Sequence, residues 1–106
     1  MIEKFEGVTV LTKANVYFDG KVQSRTVLFA DGSKKTLGVI LPGEYEFGTA
    51  DRELMEMTAG VASVVLPGRE DWQSYGPGQF FGIPANSKFK YRCDEPTEYV
   101  CTYFKD

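Results

Sequence analysis

Apolar and polar residues alternate with a period of two along most of this chain, and turn-forming residues separate the runs. Val8 to Leu11 predicts a short first strand. Asn15-Val16-Tyr17-Phe18 leads into Asp19-Gly20, a hairpin signal. Lys21 to Ala30 alternates over the length of a long strand, and Asp31-Gly32 turns it back. Thr36 to Leu41 follows, ended by Pro42-Gly43. In Glu44-Tyr45-Glu46-Phe47-Gly48-Thr49 charges alternate with rings, so one face is wet and the other packed. Glu53 to Thr58 has the propensity for a helical turn, but its length and neighbours predict a strand. Val61 to Leu66 is β-branched and reads as buried. A polar loop runs from Arg69 to Ser74, and Pro77-Gly78 makes a further turn. Gln79 to Ile83, Lys88 to Cys93 and Thr97 to Phe104 complete the series. Many short strands with no convincing helix predict an all-β sandwich or barrel. Closure into a barrel would remove the exposed edges that so many strands create.

With 106 residues the chain is expected to be one domain, 1–106, with residues 1–12 as an extension or extra strand. A net charge of -3 argues against nucleic acid as the main partner, while leaving room for a local cationic pocket that takes one small phosphate. No apolar run approaches the roughly 18–20 residues of a membrane span, and Met1 to Gly7 lacks the apolar core of a signal peptide. The expected address is therefore the cytosol, with no membrane partner. The chain has no histidine, which excludes a His general base and a His-ligated metal. Cys93 and Cys101 fit no zinc spacing. Buried free thiols are expected, with a pairing across neighbouring strands as the alternative.

Two stretches are spaced like the two motifs of a cupin barrel. The first, Gly43 to Gly60, resembles a motif of two His one residue apart, then Glu, then Gly seven residues further on. Glu53 holds the Glu position before Gly60, and the His positions fall on Phe47 and Thr49. The second, Gly78 to Phe89, resembles Gly, five residues, Pro, a small turn and His. Gly78 and Pro84 match, Asn86 stands at the usual Gly, and Phe89 replaces the His. A lone Glu53 cannot hold a catalytic metal, which needs about three protein ligands, so no metal or cofactor is expected. Phe47 and Thr49 share a strand face with Tyr45. In the cupin resemblance that face, with Phe89 and Tyr91, looks into the barrel.

A longer ordered set spans Asn15 to Tyr103. It comprises Asn15 to Ser24, Gly38 to Thr49, Asp71-Trp72-Gln73, Pro84 to Phe89 and Tyr99 to Tyr103. Together these segments resemble the small pyrimidine/purine nucleoside phosphorylases, a family of cupin-fold proteins of about this length. The resemblance implies a cupin-like double-stranded β-helix, phosphorolysis of many nucleosides to free base and α-D-ribose 1-phosphate, and a homodimer. Its partners would be nucleosides and inorganic phosphate. A non-catalytic binding or dimerisation module is the competing reading.

Displacing a base from the anomeric carbon builds positive charge on the sugar. Glu53 is the candidate carboxylate to stabilise it or to bind ribose hydroxyls, although a solvated strand glutamate reads the same way. Thr49 is the candidate hydroxyl for phosphate or ribose. Tyr45, Phe47, Phe81, Phe89, Tyr91 and Tyr103 would form an aromatic pocket that stacks on any base without reading its edge. Each is also a plausible core residue. Alternation points Lys90 and Arg92 outward, leaving Lys21, Arg25 and Arg52 for phosphate. Arg52, beside Glu53, is the preferred one. Asn86 and Ser87 read as turn residues. Trp72 reads as a cap on the pocket rim or a dimer contact.

Overall fold

The computed structural model describes residues 2–105, which form eleven strands and one short 3-10 turn. The strands are β1 (Thr9–Val10), β2 (Asn15–Tyr17), β3 (Val22–Leu28), β4 (Lys34–Ile40), β5 (Gly43–Gly48) and β6 (Arg52–Ala59). They continue with β7 (Ala62–Val65), β8 (Gln73–Tyr75), β9 (Phe80–Ile83), β10 (Lys88–Cys93) and β11 (Thr97–Phe104). All pairings are antiparallel. The last eight strands pair in a nested series: β4 with β11, β5 with β10, β6 with β9 and β7 with β8. Lateral pairs β6–β11 and β7–β10 complete two sheets. This is one long hairpin wound into a two-sheet jelly roll, as cupins are. β1, β2 and β3 extend one of the sheets to seven strands, while the other has four, in the order β5-β10-β7-β8.

The alternation explains the layering. Along β10, Phe89, Tyr91 and Cys93 are buried while Lys88, Lys90 and Arg92 are exposed. Ile40, Met55, Met57 and Ile83 from the larger sheet meet Tyr45, Val64, Phe89 and Tyr91 from the smaller in one core. Glu53 to Thr58 lies inside strand β6, since pairing with β11 along its length and with β9 at Glu53 to Glu56 outweighs a local helical preference. One loop expectation is corrected. Gln73 and Ser74, placed at the end of the polar loop from Arg69, belong with Tyr75 to β8, which pairs with β7 and closes the edge of the smaller sheet.

The motif spacing is a record of backbone geometry. Gly60 has φ +74°, and a Cβ there would stand 2.5 Å from the Pro96 carbonyl oxygen. Asn86, in the second motif's usual glycine position, has φ 53°. Asn is among the few side chains that tolerate this left-handed region, which is why the substitution is allowed. The chain before β1 lies against the outer face of the larger sheet, with Phe5 edge-on to Phe29 at 5.3 Å. Among the described residues no helix is long and apolar enough to cross a membrane.

Candidate active site

A cavity of about 530 Å³ opens between the two sheets. Its size falls within the roughly 300–1,000 Å³ typical of small-molecule sites. Val22, Ile40, Met55 and Cys101 form its buried floor. The smaller sheet contributes rings. Phe47 on β5 lies opposite Phe89 on β10 in the ladder, with ring centroids 5.5 Å apart. The lip before β3 adds Tyr17 and Phe18, both about half exposed, and Phe18 meets Phe47 edge-on at 5.6 Å. Phe18 is held at φ 51°, a backbone position that is uncommon for a bulky residue.

The larger sheet contributes polar groups. Ser24 and Thr26 on β3, Lys34 and Thr36 on β4, and Tyr103 on β11 all line the same cavity. Asn15 Nδ2 donates to Ser24 Oγ and Thr26 Oγ1, both at 3.2 Å. The hydroxyls of Thr36 and Tyr103 share a hydrogen bond of 3.1 Å. Lys34 Nζ sits 4.9 Å above the centre of the Tyr103 ring. Tyr99 also lines the cavity, and its ring is pressed so closely onto β4 that a Cβ at Gly38 would be 2.2 Å from its Cζ.

Glu53 projects into this space from β6, half-buried, and accepts a hydrogen bond from Cys101 Sγ at 3.4 Å. Burial pushes its carboxyl above the ordinary value. The Cys101 hydrogen bond opposes that shift, Asp51 adds to it and the Lys34 charge opposes it. Burial also raises Cys101, Tyr99 and Tyr103, so all three remain neutral hydrogen-bonding groups at physiological pH. The site thus combines Glu53, a carboxylate of raised basicity, and the exposed Glu46 with neutral donors, an ammonium at the mouth and a stacking surface. Among the described residues no group of three or more His, Cys, Asp or Glu is arranged to hold a metal ion.

The structure brings together four of the nine residues singled out from the sequence: Phe47, Glu53, Phe89 and Tyr103. Tyr45, Phe81 and Tyr91 lie behind this wall as core. Tyr45 donates to the Leu41 carbonyl at 2.7 Å, Tyr91 shares a 2.6 Å hydrogen bond with Thr97, and Phe81 packs on Tyr75. Thr49 is outside the cavity lining. Its hydroxyl donates to the Pro84 carbonyl at 2.7 Å and accepts from the Ser87 amide at 3.0 Å, clamping the turn after β9. Arg52 is also outside the cavity, with its guanidinium 3.9 Å over the Phe104 ring. It sits next to Glu53 in a strand, and neighbours in a strand face opposite ways.

Lys90 and Arg92 are exposed, as alternation requires, and Arg92 stacks 4.0 Å over Trp72. That contact takes Trp72 off the cavity rim. Cys93 and Cys101 are buried free thiols on different sheets. The groups missed from sequence include Ser24, Glu46 and Tyr99 besides Asn15, Tyr17, Phe18, Thr26, Lys34 and Thr36. The signal for the last two was present. Thr36 already opens the expected strand on the face of Ile40, and a strand begun two residues earlier adds Lys34 to that face.

The family model described as pyrimidine/purine nucleoside phosphorylase matches residues 12–103. A relative in Hydrogenovibrio crunogenus bearing that name is 60% identical over 102 residues, covering 96% of this chain and 98% of the relative. Another in Syntrophotalea carbinolica, with the same name, is 56% identical and covers 98% of this chain and 100% of its own length. A solved structure from Acinetobacter sp. ADP1, of a protein described as of unknown function, superposes with a TM-score of 0.93. It is 44% identical and covers 95% of this chain and 98% of that one.

Proposed function

The chain belongs to the pyrimidine/purine nucleoside phosphorylase family, and on that premise we propose that it cleaves nucleosides with inorganic phosphate in the cavity between its sheets. The products are the free base and α-D-ribose 1-phosphate. The observation that carries this reading is the opposition of a ring-bearing wall to a hydroxyl-bearing wall that also carries Glu53, the ladder partner of Tyr103.

In the reaction a phosphate oxygen forms a bond to C1′ as the bond from C1′ to the base nitrogen breaks. The electron pair of that bond leaves with the base, and the hydroxyl proton of the phosphate monoanion or dianion ends on the base. An α-phosphate formed from a β-nucleoside requires entry and departure on opposite faces of the sugar. A productive site therefore has two chemically different ends with ribose between them. Phe47 and Phe89, with Tyr17 and Phe18 at the lip, suit a flat base of any identity, because stacking needs only a π-face. Glu53 suits the charge that develops on the sugar, since a fixed carboxylate in a partly desolvated site acts without solvent reorganisation. Tyr45, Phe81 and Tyr91 hold the wall in place from behind. No residue in this scheme requires a metal.

The decisive assay follows uridine, inosine and adenosine with and without inorganic phosphate, after EDTA treatment. Base release that depends on phosphate and yields ribose 1-phosphate supports the reading. Release without phosphate makes the protein a hydrolase, and no release leaves a binding module.

The same reading includes a cytosolic, homodimeric protein. Val10, Leu37, Val39 and Phe80 leave apolar side chains exposed on the outer part of the seven-stranded sheet, Phe80 at 63%. A second copy would cover such a surface. Sedimentation as a monomer at micromolar concentration would overturn the dimer.

A further inference from the structure

Phosphorolysis requires a seat for a phosphate dianion, and the cation favoured by sequence, Arg52, is not among the residues lining the cavity. We propose that inorganic phosphate binds at the hydroxyl-rich end of the cavity, held by Lys34 Nζ and by the hydroxyls of Thr36, Thr26 and Tyr103. This assignment rests on the phosphorolysis reading and adds the substrate subsite that the reading leaves open.

Among the described residues Lys34 is the one Lys or Arg side chain lining the cavity. The ladder brings the other donors to it. Thr36 lies two residues along the same face of β4, and Thr26 is its direct partner on β3. Tyr103 comes from β11 on the other side of β4, where Thr102 pairs with Lys35. Four donors from three adjacent strands therefore share one patch.

The donor count also suits an oxyanion. In the Thr36–Tyr103 pair one hydroxyl donates to the other, and the second hydrogen has only the Cys101 sulfur, a weak acceptor, to compete with a ligand oxygen. Thr26 Oγ1 accepts from Asn15 Nδ2 and keeps its own hydrogen for donation. Lys34 itself is exposed at the mouth, so its charge remains hydrated without a ligand and reaches an incoming anion early. The Tyr103 ring beneath its ammonium limits where that charge sits. An ammonium is a point charge with rotatable donors, a common phosphate binder that needs no bidentate geometry. The patch lies on the sheet opposite Phe47 and Phe89, where in-line displacement puts the nucleophile relative to the departing base. The phosphoryl group of ribose 1-phosphate would take the same seat in the reverse reaction.

The competing explanation is an ordinary surface cation resting on a tyrosine. Steady-state kinetics on the full chain with inosine, varying phosphate and nucleoside separately, decides between them. Lys34→Met is expected to raise the KM for phosphate about tenfold or more while the KM for inosine stays within about twofold. Lys34→Arg, which restores the charge, is expected to recover most of the phosphate affinity. Titration of each protein with inorganic phosphate, followed by ³¹P line broadening, reads the same site without turnover and is expected to show the binding lost in Lys34→Met. An unchanged phosphate KM in Lys34→Met, or equal losses for both substrates, overturns the assignment while leaving the activity intact. Phosphate binding that depends on Lys34 in a protein with no turnover overturns the activity and keeps the subsite. Absence of phosphate binding by the unmodified protein together with absence of turnover overturns both.

Discussion

The two walls of the cavity come from the same alternating strand pattern and carry opposite chemistry. On β5 and β10 four inward positions are rings, paired across the ladder as Phe47 with Phe89 and Tyr45 with Tyr91. On β3, β4 and β11 the cavity-facing positions include Ser24, Thr26, Thr36, Tyr103 and the thiol of Cys101. The ring wall is continuous with the core and stabilises the fold as it shapes the site. The polar wall does neither on its own. Its groups are tolerated because they satisfy one another, Asn15 with Ser24 and Thr26, and Thr36 with Tyr103. One wall is an extension of folding, whereas the other is kept in spite of it.

The largest expected effect comes from the carboxylate that the polar wall carries beside Tyr103. Glu53→Gln should lower turnover by about a hundredfold or more, judged by kcat with both substrates saturating. Its effect on stability should have the opposite sign. The folded carboxyl holds its proton more strongly than the ordinary glutamate value of 4.5, so ionisation disfavours the fold. Stability is fully present below that value and declines as pH rises toward the folded pKa. Glu53→Gln should therefore melt higher than the parent at neutral pH, with the difference shrinking below about pH 4.5. Equal melting temperatures across that range would mean that the carboxylate is not desolvated.

Next in size is the contact that shapes the polar wall. Gly38→Ala puts a methyl group 2.2 Å from the Tyr99 ring carbon. Overpacking of this kind should cost about 1–3 kcal/mol in denaturant unfolding. An unchanged midpoint would show that the ring moves freely.

The ring wall should respond more mildly and more uniformly. Tyr17 is 56% exposed at the lip, so its removal spares the core. Tyr17→Ala should raise the KM for uridine, inosine and adenosine alike by roughly fivefold through lost stacking, with the phosphate KM unaffected. A change confined to one base would mean edge recognition instead.

The smallest effect belongs to a residue outside both walls. Thr49→Val removes the hydroxyl that ties Pro84 and Ser87, and should lower stability by about 1 kcal/mol in the same unfolding assay. A loss of kcat as deep as that of Glu53→Gln would return Thr49 to the chemistry.

The smaller sheet was readable from sequence because its signal is dense. Large rings at every second position of Glu44 to Phe47 and Lys88 to Tyr91 leave only one way to fold each strand with its rings inside. The polar wall was harder to read because threonine and lysine suit a solvated strand face as well as a cavity. Lys34-Lys35 after Asp31-Gly32 looks like the polar end of a turn, and only pairing with Leu28 and Val27 makes it strand. Arg52 was misjudged because proximity along the chain to Glu53 suggests proximity in space, while strand neighbours point to opposite faces.

By itself the sequence determined an all-β chain, its turns and the orientation of most rings. Those features are local, set by period-two alternation and by positions such as Gly60 and Asn86 that must adopt a left-handed backbone. The tertiary structure decided what the inward faces look at. Nested pairing of β4 through β11 sets a sheet of rings against a sheet of hydroxyls, and β2 and β3 carry Asn15, Tyr17 and Thr26 to the mouth. Alternation says that a side chain points inward; only the long-range pairing of strands says which other side chains it meets there.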